Sequence, residues 1–211
     1  ITLQPKREVP DISVSMDNWT YGENAKTPRY DVIAGVEATV TYAAQGSSDF
    51  STTVPTNAGS YTVKVQYETA IEIHTGTANF TIAPKTLTKD DLIHSGPITK
   101  VYDGSTNAPS GLTVSVKHDS LVGSDTLAVS GTLKYNSANV NEAKQIIFTP
   151  TAITTGNYAL AATEVLTITE AAITKAKQAP LTVTSTDATY GTDLTLTTDG
   201  GSGDGTVTYT V

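Results

Sequence analysis

Residues 60–68 read SYTVKVQYE, and this stretch decides the fold class. Its two tyrosines and two valines alternate with polar residues, so the apolar side chains share one face of an extended chain. Alternation of this kind is typical of a half-buried antiparallel strand. The residues just before it, PTNAG at 55–59, predict a turn.

The same alternation recurs along the whole chain, in short segments that turn residues separate. Roughly one residue in five is Thr, which is stiff at χ1 and suits a strand better than a helix. We therefore expect an all-β protein, in which residues 89–93 form one helical turn at most. Further strands are predicted at 12–16, 36–42, 80–82, 112–116, 127–129, 133–135, 146–148 and 166–168.

The composition excludes several classes of protein. The chain has 211 residues, no Cys and a formal net charge of −8. Disulfide scaffolds, Cys-ligated metals and thiol nucleophiles are thereby excluded. An acidic chain with scattered Lys is a poor nucleic-acid binder, because such binding depends on neutralising phosphates. No stretch reaches the roughly 18 apolar residues that a membrane-spanning helix needs, so we expect no membrane span.

Internal repetition indicates tandem small domains. Residues 12–22, ISVSMDNWTYG, align without gaps to residues 181–191, LTVTSTDATYG, and both stretches end in Thr-Tyr-Gly. A related turn, KVYDG, lies between them at 100–104. The closing strands also match, FTIAPKTLT at 80–88 with LTITEAAIT at 166–174. The spacing between the turns that end at 22, 104 and 191 is too long for a solenoid repeat and suits domains of the smallest common size.

We accordingly predict a first module at 1–84, a second at 85–175 and the start of a third at 176–211. The last stretch is too short to fold alone, so it either packs against the second module or is a truncated module. The expected architecture of each module is an immunoglobulin-like antiparallel β-sandwich, with a β-grasp fold as the alternative. A helix packed across a mixed sheet would decide for the β-grasp fold.

Several short motifs resemble known β modules of bacterial surface proteins. The Tyr-Gly openings, WTYG at 19–22 and TYG at 189–191, resemble those of YG-type MBG modules, the "mostly beta, glycine-rich" repeats. VPTNAGSYTV at 54–63 is similar to their closing hairpin. KVYDGST at 100–106 resembles the YDG modules that accompany them, and residues 157–168 resemble the end of such a module. The resemblance implies Ig-like modules strung in arrays within large exported adhesins, and it carries no catalytic residue.

The Tyr-Gly motifs also have a physical interpretation. Gly supplies a permissive backbone at a sharp turn, and the adjacent Tyr can bury its ring and donate its hydroxyl hydrogen to the backbone. We expect these tyrosines to pin a loop to the core at each module end, as a tyrosine corner does.

Candidate catalytic residues are few and dispersed. His74, His94 and His118 are isolated and lack the spacing of a metal site, so we expect them to be exposed surface residues. Ser, His and Asp all occur, but no Gly-x-Ser-x-Gly motif does, which argues against a hydrolase triad. The adjacent acidic pair Asp90-Asp91 predicts a solvated turn rather than the carboxylates of a glycosidase.

Two loops are compared with known ligand-binding loops. Residues 103–107, DGSTN, are rich in oxygen atoms but lack the acid spacing of an EF-hand. Residues 200–205, GGSGDG, resemble a single calcium repeat, whereas that structure needs stacked copies. The same glycines lack the Lys of a phosphate-binding loop. We interpret the second stretch as a flexible loop and expect no metal and no cofactor.

Aromatic residues offer the one route to a binding surface. Trp19, Tyr21 and Tyr30 lie close together in sequence, and exposed rings often stack on sugars. Core packing is the favoured interpretation, because a small module needs its few large side chains inside. Residues 18–20 and 79–81 match the N-glycosylation pattern, which means little in a bacterial protein.

Lys100 and Asn157 have the side-chain types of a Lys–Asn isopeptide cross-link, which would release one ammonia. Nothing in the sequence singles out this pair, and the intact mass would decide.

The sequence therefore predicts a non-catalytic region of an extracellular bacterial surface protein, acting as a stalk or spacer and monomeric. One alternative is a module that binds host or surface glycan or a matrix protein, for which an exposed platform of Trp19 and Tyr21 would be evidence. The other is an accessory region of a secreted polysaccharide-degrading enzyme. No residue is assigned to ligand binding.

Overall fold

The computed structural model describes residues 6–31, 33–153, 156–185, 187–201 and 206–208. These residues form an all-β fold with several sheets, which confirms the predicted fold class. The helical structure in these ranges is limited to two 3₁₀ turns, Lys89–Asp91 and His118–Ser120. The first of them is the single turn that the sequence predicts. No helix within the described ranges has the length and apolarity that a bilayer crossing requires.

The N-terminal segment, residues 6–83, contains seven strands among its described residues. They are β1 (Arg7–Val9), β2 (Val14–Ser15), β3 (Trp19–Thr20), β4 (Arg29–Tyr30), β5 (Ala38–Ala44), β6 (Gly59–Glu68) and β7 (Glu72–Ala83).

A five-stranded sheet organises this segment. Strands β5, β6 and β7 form an antiparallel meander, with Val40 opposite Val65 and Tyr61 opposite Phe80. Strands β1 and β3 both pair in parallel with the free edge of β7. Strand β2 pairs with β4 in a separate antiparallel ladder. The parallel pairs were not predicted, because alternation along one strand carries no information about the direction of its neighbour.

The apolar face predicted for residues 60–68 is the buried face of β6. Val63 and Val65 are completely buried and Tyr67 almost so, while Tyr61 is half-buried at the end of the strand. Full burial of such side chains contributes about 1.5–3 kcal/mol each. The buried residues of the N-terminal segment are Ile12, Met16, Trp19, Tyr42, Ala43, Val63, Val65, Tyr67, Phe80 and Ile82.

The central segment, residues 84–175 except 154–155, contains nine strands around its own buried residues. Strands β12, β13 and β15 form an antiparallel sheet, in which Ile146 lies opposite Ile168. Strands β8 and β14, and β10 and β16, form parallel pairs, whereas β9 and β11 are antiparallel. The strands are β8 (Lys85–Leu87), β9 (Leu92–Ser95), β10 (Thr99–Val101), β11 (Thr113–Val116), β12 (Gly131–Tyr135), β13 (Gln145–Pro150), β14 (Tyr158–Leu160), β15 (Leu166–Thr169) and β16 (Ala172–Thr174).

One predicted strand of the central segment does not form. Leu127 and Val129 lie in irregular backbone, although both pack half-buried against the core that contains Phe148 and Leu160. Alternation in sequence therefore predicted two inward-facing side chains correctly and a strand wrongly.

The C-terminal segment, residues 176–208 where described, contains one antiparallel pair. Strand β17 (Leu181–Val183) pairs with β18 (Thr198–Gly200). The β-grasp alternative required a helix packed across a mixed sheet. The five-stranded sheet is mixed, but the described ranges contain no α-helix to cover it.

Candidate functional site: the joint between the N-terminal and central segments

The turn at Tyr21-Gly22 is positioned by the edge of the N-terminal sheet. Strand β3 lies against the end of β7, and the Tyr21 amide donates to the Ala83 carbonyl oxygen at 2.8 Å. The turn closes with the Glu23 amide donating to the Thr20 carbonyl oxygen at 3.0 Å. Gly22 has a φ of +90°, a conformation that glycine adopts without strain. The turn thereby projects the Tyr21 ring out of its own sheet.

The Tyr21 side chain reaches a carboxylate of the central segment. Its hydroxyl donates to Asp125 Oδ2 at 2.8 Å, and the Tyr158 hydroxyl donates to the same oxygen at 2.7 Å. The Tyr158 hydroxyl oxygen in turn accepts the Val122 amide at 2.7 Å. The two tyrosine rings meet edge to face with centroids 5.6 Å apart, which contributes about 0.5–1.5 kcal/mol beyond their burial.

Both phenols stabilise the charged form of Asp125. Hydrogen bonds from Tyr158 and then Tyr21 lower the pKa of Asp125 below its ordinary value. The hydrogen bond to Asp125, followed by burial, raises the pKa of Tyr21, and burial raises the pKa of Tyr158. At neutral pH the group is thus one carboxylate holding two neutral phenols. A carboxylate with a lowered pKa that already accepts two hydrogen bonds is a poor general base, so this arrangement suits binding between segments rather than catalysis.

A second set of hydrogen bonds joins the segments beside this carboxylate. Asn157 Oδ1 accepts the Ala58 amide at 2.8 Å, and Asn157 Nδ2 donates to Asn57 Oδ1 at 3.1 Å. The Asn157 carbonyl oxygen accepts the Lys85 amide at 2.9 Å, directly after the end of β7. Asn157 therefore fixes the turn before β6 and the start of the central segment at the same point.

Gly22 also packs closely against the central segment. A Cβ atom at Gly22 would lie 2.6 Å from Val122 Cγ2, closer than van der Waals contact allows. Glycine is needed here for its φ and for its lack of a side chain. We call the eight contributing residues the joint: Tyr21, Gly22, Asn57, Ala58, Val122, Asp125, Asn157 and Tyr158.

The prediction that the motif tyrosines pin loops through the backbone is wrong for all three motifs. Tyr21 donates to a side chain of the next segment, and Tyr102 and Tyr190 are exposed. Other tyrosines make the expected bonds. Tyr67 donates to the Asp31 carbonyl oxygen at 3.0 Å, and the Tyr135 hydroxyl lies 2.9 and 3.0 Å from the carbonyl oxygens of Ile98 and Ala172.

The aromatic residues near the N-terminus do not form one platform. Trp19 is only 5% exposed and stacks on Phe80 with centroids 5.1 Å apart. Tyr30 meets Tyr67 edge to face at 6.4 Å, on another part of the core. The structure therefore places Trp19 in the core, as its size predicts, and separates it from Tyr30.

The three histidines differ in their surroundings. His94 and His118 are exposed, as predicted. His74 is half-buried on β7, with Nδ1 2.9 Å from Asp11 Oδ2 and Nε2 3.5 Å from Glu72 Oε2. The expectation of an exposed residue is wrong for His74, because the parallel pairing of β1 with β7 brings the following Asp11 to its side.

Lys100 and Asn157, the candidate isopeptide pair, have separate partners. Lys100 Nζ donates to Asp103 Oδ1 at 2.7 Å and to both the carbonyl and hydroxyl oxygens of Ser105. Asn157 is in the joint. The hydrogen bond from Lys100 and those from Ser105 lower the pKa of Asp103 to about 2. The acidic loop at 103–107 is thus tied to a lysine of its own segment.

The remaining candidates have structural roles. Asp91 caps the 3₁₀ turn by accepting from Thr88, and Asp90 pairs with Lys89 at 2.6 Å, which matches a solvated turn. Asn18 Oδ1 accepts the Thr81 amide and thereby braces β7. Residues 202–205 of the glycine-rich stretch lie outside the described residues. Within the described part of the chain, no group of three or more His, Asp or Glu side chains is arranged to hold a metal ion.

One cleft lies beside the joint, and another lies at the next boundary between segments. One of about 270 Å³ lies beside the joint and is lined by Trp19, Tyr21, Glu23, Pro55 and Val122 among others. The other, of about 970 Å³, lies between the central and C-terminal segments, where Tyr102 and Val140 face Leu181.

Residues 83–167 match the family model of the YDG domain. The match falls on the central segment and confirms the YDG part of the resemblance. No curated protein and no solved structure matches the chain.

Proposed function

We propose that this chain is a non-catalytic repeat region of a bacterial cell-surface protein, in which it acts as a stalk or spacer outside the cell. Its modules are 1–84, which is of the MBG type, 85–175, and the start of a further MBG-type module at 176–211. The whole protein is an adhesin, and this region is monomeric. The YDG match at 83–167 supports the repeat character of the chain.

The joint is the observation that carries the spacer role. A spacer keeps its ends apart only when consecutive modules hold a fixed angle. Tyr21 and Asn57, which lie in two different turns of the N-terminal segment, bond to the central segment, and Val122 packs against Gly22. Several contacts around one covalent connection restrict rotation far more than a short linker does alone.

Distance measurements between spin labels test this role. The chain has no Cys, so a Thr77→Cys, Ser110→Cys variant carries labels at two defined exposed sites, one in each segment. We expect a single narrow distance distribution. Asp125→Ala removes the shared acceptor of Tyr21 and Tyr158 and is expected to broaden it.

Asp119→Ala is the matched control, because Asp119 is an exposed carboxylate six residues before Asp125 and lies outside the joint. It should leave the distribution unchanged. A broad distribution in the labelled parent protein would show a flexible hinge and would contradict the spacer role.

The binding alternative receives less support from the aromatic residues. Trp19 is buried against Phe80, whereas a sugar-stacking platform needs an exposed ring. We expect no saturable binding of the full chain to glycan or matrix-protein panels. Saturable binding that is lost in Tyr21→Ala but kept in Tyr102→Ala would instead favour a ligand site at the cleft beside the joint.

A further inference from the structure

Strand β17 has β18 as its one strand partner among the described residues, and its other edge faces away from β18. The Thr184 amide donates to the Thr197 carbonyl oxygen at 2.9 Å, and the Gly201 amide donates to the Pro180 carbonyl oxygen at 3.1 Å. In an antiparallel ladder, hydrogen-bonded and non-hydrogen-bonded pairs alternate. Leu181 and Val183 therefore form non-hydrogen-bonded pairs with residues of β18, and their amides point away from β18.

The corresponding stretch of the N-terminal segment, residues 12–15, has the same alternation of hydrogen-bonded and non-hydrogen-bonded pairs. The Asp31 amide donates to the Ser13 carbonyl oxygen at 3.3 Å, so the amides of Ile12 and Val14 point away from β4. The Ile12 amide donates to the Thr75 carbonyl oxygen of β7 at 3.2 Å. In the sequence alignment, Ile12 corresponds to Leu181 and Val14 to Val183. The edge of residues 12–14 that contacts β7 thus corresponds to the edge of β17 that faces away from β18, which we call the outer edge of β17.

The turns that follow these strands also agree. Gly22 and Gly191 have φ values of +90° and +88°. The Thr192 amide donates to the Thr189 carbonyl oxygen at 3.0 Å, as Glu23 does to Thr20. The equivalence of the two stretches therefore extends from sequence to backbone geometry.

A glycine allows β7 to approach this edge. A Cβ atom at Gly76 would lie 2.1 Å from the Ile12 carbonyl oxygen and 2.7 Å from Val14 Cγ2. Glycine within a strand often marks such a close approach of two backbones. With β7 in place, Ile12 is 9% exposed and Val14 is half-buried.

The apolar side chains of β17 are exposed. Leu181 is 46% exposed and Val183 is 64% exposed, and Leu181 lines the cleft of about 970 Å³. An exposed apolar strand edge is a template for pairing with a further strand.

We propose that the outer edge of β17 is a docking site for a parallel β-strand with the chemistry of β7. The occupant is a β-hairpin like β6–β7, with alternating apolar residues and a glycine where its outer strand crosses Leu181. Its backbone carbonyl accepts the Leu181 amide, and its apolar face covers Leu181 and Val183. This inference rests on the proposed repeat relation between the stretches 12–22 and 181–191 and does not depend on the spacer role.

The test tethers a second copy of the hairpin to the full chain. Residues 59–83 are appended after Val211 through about 20 Gly/Ser residues, which span on the order of 25 Å. We expect hydrogen exchange of the Leu181 amide to slow at least about tenfold, toward the protection of the Ile12 amide in the same molecule. In the parent chain, we expect Leu181 to exchange much faster than Ile12.

The matched control carries Gly76→Val in the appended copy only. We expect this change to abolish the protection at Leu181 and to leave Ile12 unchanged. No slowing with the native copy, or equal slowing with both copies, would overturn the proposal. A second measurement titrates the ¹⁵N-labelled full chain with a synthetic peptide of residues 59–83, and shifts confined to residues other than 181–183 would likewise count against it.

Discussion

Replacing Gly22 with Ala is expected to destabilise the N-terminal segment for two separate reasons. The left-handed backbone at φ +90° costs a residue with a Cβ atom about 1–2 kcal/mol. The new methyl group, 2.6 Å from Val122 Cγ2, adds about 1–3 kcal/mol of overpacking. The free energy of unfolding should therefore fall by about 2–5 kcal/mol.

Gly191 separates the two contributions. Its φ is +88°, and no described atom beyond its chain neighbours lies within 4 Å of a Cβ placed there, so Gly191→Ala carries the backbone cost of about 1–2 kcal/mol alone. Adding Val122→Ala to Gly22→Ala should recover the overpacking part, which a double-mutant cycle measures directly.

Urea unfolding followed by the fluorescence of Trp19 is the assay for the N-terminal segment. Trp19 is the only Trp in the chain and is buried in that segment, three residues from the substitution. Amide exchange around residue 191 reports on the control. A cost of Gly22→Ala no larger than that of Gly191→Ala, or an absence of coupling between Val122→Ala and Gly22→Ala, would refute the overpacking at Gly22.

Three further outcomes are expected. Because the folded pKa of Asp103 is lowered to about 2, its bond with Lys100 stabilises the central segment above the ordinary carboxyl pKa near 3.8, and this stability is lost as the pH falls through about 2. Asp103→Asn should therefore lower the urea midpoint at pH 5 and have a shrinking effect toward pH 2; a difference independent of pH would contradict this account. Trp19→Ala should cost about 3–5 kcal/mol in urea unfolding followed by circular dichroism, and a loss below about 1 kcal/mol would show that the ring is not a core residue. Gly76→Ala places a methyl group against the Ile12 carbonyl oxygen and should cost about 3 kcal/mol by Trp fluorescence, whereas an unchanged midpoint would show that β7 does not approach so closely.

Local alternation was sufficient to identify the faces of strands. Val63 and Val65 are buried because a period of two places every second side chain on the same side of the sheet. The burial of Trp19 was predictable from size alone, because a module this small has few other residues to fill its core. In both cases the deciding information lies within a few residues of the side chain.

Partners distant in sequence were not predictable in this way. Tyr21 and Asp125 are 104 residues apart, and no periodicity relates them. Tyr21 and Tyr190 occupy turns of nearly the same φ, yet one is in a joint and the other is exposed. The local sequence determines the conformation of the turn, whereas the neighbouring segment determines whether the tyrosine side chain finds a partner.

The parallel pairing of early with final strands bears on how the chain responds to tension. Since β1 and β3 run parallel to β7, the chain enters the N-terminal segment at one pole of the sheet and leaves it at the other. Pulling the two ends apart loads these hydrogen bonds in shear, so that they break together rather than being peeled one at a time. Under a rising axial force, the five residue pairs that join β1 and β3 to β7 should therefore fail together, and they should keep the N-terminal segment folded until that force is reached.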